Sequence, residues 1–240
     1  MISFSSYLPT PMLEELQPLL DYVFMEPVQD QHYIDFYKNY HGTYKLLDNG
    51  YIERANNALD FEDLVDYDFK VKADVVIAPD RLGDWKFNRS NAERLCERIG
   101  QERTGVVLAG RTAWAFEEQC EQLANTCSLI CIPYTLNRNV LDPSFWPGTV
   151  TRFHLLGLRV PEDYSVYKSL EEEEQVQIYL DTAEPISAAY QYWVYDEKGF
   201  ACFKRPKGYA DLQLTKTQTD IARWNIAWLK KLLHTNQSLW

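Results

Sequence analysis

Residues 75–110 read VVIAPDRLGDWKFNRSNAERLCERIGQERTGVVLAG. The stretch opens on an apolar run, Val75 to Ala78, closed by Pro79-Asp80-Arg81, and ends on a second run, Val106 to Ala109, closed by Gly110-Arg111. Both runs are continuous rather than alternating, the pattern of strands covered on both faces. Between them Asn91 to Ile99 is amphipathic, with Ser90 or Asn91 placed to cap it. Strand, helix and strand in this span form a parallel unit, because the helix carries the chain back to the end from which the first strand set out.

The unit recurs in both directions. Further apolar runs lie at Tyr44 to Leu47, Leu129 to Ile132, Phe153 to Leu156 and Gln177 to Leu180. Helical patterns fall at Phe61 to Phe69, at Ala113 to Ala124 behind a Thr112 cap, and at Tyr164 to Glu174, whose run Glu171 to Glu174 reads as a solvated end. An N-terminal strand around Ile2 to Tyr7 and a late one around Tyr192 to Tyr195 bring the number to about eight. The fold class expected is therefore α/β, a (β/α)8 TIM-like barrel forming one domain over residues 1–240. A C-terminal amphipathic helix is expected at about 215–235, burying Ile221, Trp224, Trp228, Leu229 and Leu232. An open doubly wound sheet is the alternative; it calls for a Gly-rich first turn, and neither G-x-G-x-x-G nor G-x-x-x-x-G-K-[ST] occurs.

Composition narrows the function. The net charge of −11 argues against a protein that coats nucleic acid through displaced counterions, but leaves room for a local basic patch. The 5 Cys are irregularly spaced and odd in number, as expected for reduced thiols rather than a disulfide frame. The N-terminus lacks a basic region followed by an apolar core, and no apolar run is of membrane-spanning length. These features predict a soluble, cytoplasmic chain with no membrane partner.

In a parallel barrel the reactive groups sit at the C-terminal ends of the strands. Asp48, Asp80 and Asp181 each follow an apolar run directly. Carboxylates converging on one mouth can divide the labour, one staying ionised while a neighbour with a raised pKa moves the proton. The competing reading makes each Asp a cap for the turn or helix behind it. His154 lies inside a strand, as a core residue or as part of the pocket, while His32, His41 and His234 are isolated. No His or Cys spacing suits a metal, no nucleophile elbow is present, and no cofactor is expected. Cys131 reads as packing.

Basic residues cluster in loops at the same rim: Arg81, Lys86, Arg89, Arg111, Arg138 and the tetrad Lys204-Arg205-Pro206-Lys207. Lys204, Arg205 and Lys207 either meet a nucleic-acid backbone or form a solvated turn. Among the 16 Tyr and 7 Trp, the rim aromatics Tyr51, Trp85, Tyr134 and Trp146 either stack on a base or pack locally.

The collinear order of Leu47-Asp48-Asn49-Gly50-Tyr51, Ile77-Ala78-Pro79-Asp80, Gly105 to Gly110, Arg152 to Gly157 and Asp181-Thr182 resembles the tRNA-guanine transglycosylase superfamily, and most of all its DNA-acting, DpdA-like branch. The resemblance spans roughly residues 44–190 and rests on order rather than on any one motif. It implies a barrel that breaks the bond between a nucleobase and its sugar. On that footing Asp181 is the nucleophile, Asp48 the general acid/base and Asp80 the carboxylate that recognises the base. Asn49, Gly50, Tyr51, Arg81, Gly110, Arg111, Tyr134, His154 and Gly157 then line the substrate pocket. The family's Asp-Ser-Gly-Gly-Phe stands here as Asp48-Asn49-Gly50-Tyr51-Ile52, its Gln-Gly-Gly as Leu108-Ala109-Gly110, and its Cys/His zinc module has no counterpart in these residues. The implied substrate is a different or modified base in nucleic acid, DNA ahead of RNA, released by a DNA glycosylase or exchanged by a transglycosylase. The implied setting is phage DNA modification, or antiviral defence against such DNA. A barrel hydrolase or lyase on a small metabolite, and an inactive nucleic-acid-binding barrel, are the competing functions.

Overall fold

The computed structural model describes residues 2–27, 30–50, 59–110, 112–123, 126–134, 151–158, 176–196 and 203–234. Within them lie the strands β1 (Ile2–Ser5), β2 (Val23–Met25), β3 (Lys45–Leu47), β4 (Val75–Ile77), β5 (Thr104–Val107), β6 (Leu129–Pro133), β7 (Arg152–Leu156) and β8 (Gln177–Asp181). The helices are α1 (Leu13–Leu16), α2 (Gln31–Asn39), α3 (Phe61–Val71), α4 (Trp85–Ile99), α5 (Ala113–Leu123), α6 (Glu184–Tyr190) and α7 (Lys216–His234). All seven strand pairings are parallel, in the order β1-β8-β7-β6-β5-β4-β3-β2. The six interior strands predicted from the apolar runs are all present. The eighth strand is Val23–Met25, not Tyr192 to Tyr195. The latter forms no strand of the sheet and instead runs beside α7, where the Tyr195 N–H donates to Asn225 Oδ1 (2.8 Å).

The sheet curls until its two outer strands meet. The Asp21 N–H donates to Phe4 O (2.9 Å), the Phe4 N–H to Asp21 Oδ2 (2.9 Å), and the Ser5 hydroxyl to Tyr22 O (2.7 Å). Contacts between strands far apart in the sheet order show what fills the inside. The ring of Phe24 on β2 lies 5.1 Å edge-on from His154 on β7, and Tyr44, just before β3, stacks at 4.9 Å on Tyr179 of β8. Tyr22 meets Tyr179 edge-on at 5.1 Å. The interior is thus a packed aromatic column rather than a channel, as small barrels require, and the open doubly wound alternative does not hold.

Short carboxylates start the helices. Asp30 accepts from the N–H groups of His32 and Tyr33, Asp60 from Glu62, and Asp84 from Phe87. Helix α4 accordingly begins at Trp85, well before the expected Ser90 or Asn91, because Asp84 satisfies its first free donors. Thr112 accepts from Ala115 as expected. Helix α7 buries Ala222, Ile226, Leu229, Leu232 and Leu233, whereas Trp224 is 57% exposed and reaches back to Tyr195 O through its indole N–H (2.8 Å). The helix expected over Tyr164 to Glu174 lies outside the described residues. Among the described residues no helix is long and apolar enough to cross a membrane.

Asn225 fastens α7 to the segment that follows β8. Its side chain is fully buried, accepts from Tyr195 N–H, and donates to Pro185 O (3.2 Å) and Trp193 O (3.0 Å). Asn225→Ala would remove three hydrogen bonds to backbone groups of that segment. We expect it to lower unfolding stability in urea by about 3 kcal/mol, while a loss below about 1 kcal/mol would contradict this role.

Candidate active site

Because every strand is parallel, residues that follow each strand share one face of the barrel. That face carries Asp48 after β3, Asp80 after β4, Asp181 at the end of β8 and Glu26 after β2. Asp80 is 7% exposed and Asp181 is 5% exposed, while Asp48 is half-buried. Convergence shows electrostatically at the buried Cys131 of β6. Burial raises its thiol pKa well above the usual value, and the negative charges of Asp48, Asp80 and Asp181 all raise it further. All three carboxylates are therefore within electrostatic reach of a single atom inside the barrel.

Each carboxylate is held differently. Burial pushes the Asp80 carboxyl up to about 6, against an opposing hydrogen bond from Asn49. The Asn49 amide donates to Asp80 Oδ1 (2.8 Å) and to Ala78 O (2.8 Å), so its N–H groups are engaged inside the protein and brace β3 against the end of β4. Asp181 Oδ1 lies 2.9 Å from His154 Nε2 and accepts the Gly157 N–H at 3.1 Å. Asp48 accepts the Gly50 N–H at 3.3 Å.

Two glycines on this face answer to geometry. Gly157 adopts φ +67°, and a Cβ there would lie 3.0 Å from the Tyr134 ring, so the turn after β7 admits no side chain. A Cβ at Gly110 would sit 3.1 Å from Ala115. The Gly110 N–H and that of Ala109 both donate to Gln119 Oε1 at 3.0 Å, reaching from α5. Asn88 of α4 does the same service for the loop after β4, accepting from Arg81 N–H (2.7 Å) and donating to Val107 O (3.0 Å).

The other expected site residues differ in burial and in partners. His154 is fully buried beneath Asp181, not on the pocket surface. Arg205 pairs with the buried Glu26 at 2.8 Å and lies over the rings of Tyr7 and Tyr209, so it is not an unengaged phosphate contact. Lys204 and Lys207 are exposed. Arg81 is exposed and stacks over Phe87. Trp85 donates its indole N–H to Gln122 Oε1 and braces α4 against α5. Tyr134 stands partly exposed at the end of β6. Tyr51, Arg111, Arg138 and Trp146 lie outside the described residues. Sequence reading missed Glu26; the available signal was a carboxylate directly behind the apolar triplet Val23-Phe24-Met25. Among the described residues no group of three or more His, Cys, Asp or Glu side chains is arranged to hold a metal ion.

No protein-family model matches this chain, and no curated protein matches it.

The raised Asp80 pKa carries a stability cost with a definite sign. The native state keeps a proton that the unfolded chain, near 3.8, has already released, so the contribution is full below about pH 4 and is lost as pH rises through about 6. Asp80→Asn, which can still accept from Asn49, should therefore gain stability relative to wild type between pH 4 and pH 7, by on the order of 3 kcal/mol at most. Thermal unfolding at the two pH values checks this; an equal offset at both would show that Asp80 is not the source.

Proposed function

We propose that this chain cleaves the N-glycosidic bond of a nucleobase in nucleic acid, DNA ahead of RNA, using the carboxylates at the barrel mouth. The observation that carries the proposal is the unequal setting of those carboxylates: Asp181 buried, with the Gly157 N–H and the His154 imidazole both on one oxygen, Asp80 buried and pushed up to about 6, and Asp48 more exposed than either. Unequal carboxylates around one pocket are what glycosyl transfer needs, since a cationic sugar must be stabilised while the leaving group is protonated.

In this reading Asp181 attacks the anomeric carbon, and the C1′–N bond breaks with its electron pair leaving on the base nitrogen. Asp48 supplies the proton to that nitrogen. Asp80 grips the base edge, and with a pKa of about 6 its carboxyl can donate as well as accept near neutral pH. The resulting sugar ester on Asp181 is then displaced by water, with Asp48 taking the proton, or by an incoming base. A base in a duplex would have to leave the stack to reach the site.

One observation favours a second reading, a small nucleoside or sugar metabolite as substrate. Arg205, the centre of the basic tetrad, is spent on Glu26, which leaves the chain of net charge −11 less cation for a phosphate backbone. Labelled DNA separates the two: a mobility shift at low salt that fades with added salt supports the nucleic-acid substrate, and no shift supports the small one.

Incubation with modified and unmodified DNAs, followed by mass spectrometry of released bases, tests the chemistry. Asp181→Asn and Asp48→Asn should each keep the fold and reduce base release at least ~10³-fold. Full activity in both variants would end the proposal.

A further inference from the structure

Asp181 is held from one side only. Both side-chain contacts on it fall on Oδ1: the Gly157 N–H donates at 3.1 Å and His154 Nε2 lies within ion-pair distance at 2.9 Å, and among the described residues nothing engages Oδ2. We infer that His154, with Tyr22 behind it, is a positioning pair that pins Oδ1 from inside the barrel and presents Oδ2 as the reacting oxygen. The inference rests on the reading of Asp181 as nucleophile.

The hydrogen-bond chain fixes where the protons are. The Tyr22 hydroxyl donates to Leu180 O at 3.1 Å and stands 3.2 Å from His154 Nε2. Its one proton being used on the carbonyl, the phenol oxygen can only accept from the imidazole. A carboxylate oxygen also only accepts, so the arrangement calls for a hydrogen on Nε2, which meets the Tyr22 oxygen at 3.2 Å and lies 2.9 Å from Asp181 Oδ1. Nδ1 is buried and without a partner among the described residues, which suits a bare lone pair better than a second N–H.

Packing holds this chain still. His154 is fully buried, with Phe24 edge-on at 5.1 Å and Tyr22 edge-on at 6.1 Å. Tyr22 in turn packs edge-on against Tyr179, and Tyr179 stacks on Tyr44. The imidazole cannot touch a substrate. It can act only by setting the plane and free oxygen of Asp181, where a displacement of about 1 Å can cost ~100-fold in rate. Backbone and side chain of the same strand, Gly157 and His154 of β7 and its turn, meet Asp181 of the neighbouring β8, so the register between these strands sets the aim.

A structural histidine and a positioning histidine differ in what their replacement changes. His154→Phe keeps ring volume and removes the donor; we expect kcat per folded molecule to fall ~10- to 100-fold with KM unchanged, measured as base release from the DNA that wild type cleaves best. His154→Gln, which can present an amide N–H to Oδ1, should recover most of that loss, and Tyr22→Phe should give a smaller loss of the same kind. Independently of activity, nitrogen-proton NMR of the wild-type imidazole should show a solvent-protected hydrogen on Nε2 that shifts upfield in Asp181→Asn. An unchanged kcat in folded His154→Phe, an equal loss in His154→Gln, or an imidazole signal indifferent to Asp181→Asn would overturn the inference. Absence of base release in wild type alongside an Asp181-dependent imidazole signal would instead count against the glycosidic reading.

Discussion

Closure of an all-parallel sheet is the constraint on which everything else depends. Parallel pairing sends every strand out through the same face, and the Phe4–Asp21 and Ser5–Tyr22 hydrogen bonds join the two outer strands so that the face becomes a ring. Residues 48, 80 and 181 are far apart in the chain, yet their negative charges all act on the Cys131 thiol in the wall between them. Without closure, β2 would lie at the edge of an open sheet opposite β1 and its neighbour β8, and Tyr22 could not reach either His154 or the carbonyl of Leu180.

Gathering carboxylates costs stability, and the structure offsets that cost unevenly. Glu26 is neutralised by Arg205, a cation delivered from the far end of the chain. Asp181 is offset by a histidine and a backbone N–H. Asp80 is offset by the Asn49 amide and its own backbone N–H, and its raised pKa is the sign of incomplete compensation. Such incomplete compensation is common where a group must exchange protons. The helices contribute by holding loops still: Asn88 and Gln119 turn inward to tie down the backbone after β4 and β5 with hydrogen bonds that a shorter or apolar side chain could not make.

Much of this was legible in the chain itself. Runs such as Val75-Val76-Ile77 and Leu129 to Ile132 announce strands because only apolar, largely β-branched residues suit a sheet covered on both faces. Their regular spacing with intervening helices implied the parallel connection, and the strand ends then named Asp48, Asp80 and Asp181. Strand β2 was not legible, since Val23–Met25 is too short to stand out among the prolines Pro18 and Pro27, and Tyr192 to Tyr195 looked more like a strand than it is. The partners of the charged groups were hidden for a different reason. That Arg205 serves Glu26, or that His154 lies under Asp181, depends on contacts between residues far apart in sequence, for which local pattern carries no signal. Asn49 was read as a pocket residue, and only the structure shows its amide turned toward Asp80.

Barrel closure places these carboxylates at one mouth in unequal environments, with Asp80 desolvated there and steadied from the end of β3 by Asn49. Carbon-detected NMR titration of the aspartate side-chain carboxyls tests it most directly, with Asp80 assigned by the signal lost in Asp80→Asn. We expect a midpoint near 6 for Asp80 in the wild-type protein and a higher one in Asn49→Leu, where the Asn49 hydrogen bond is gone. A midpoint at the ordinary carboxylate value of 3.8, indifferent to Asn49, would contradict it.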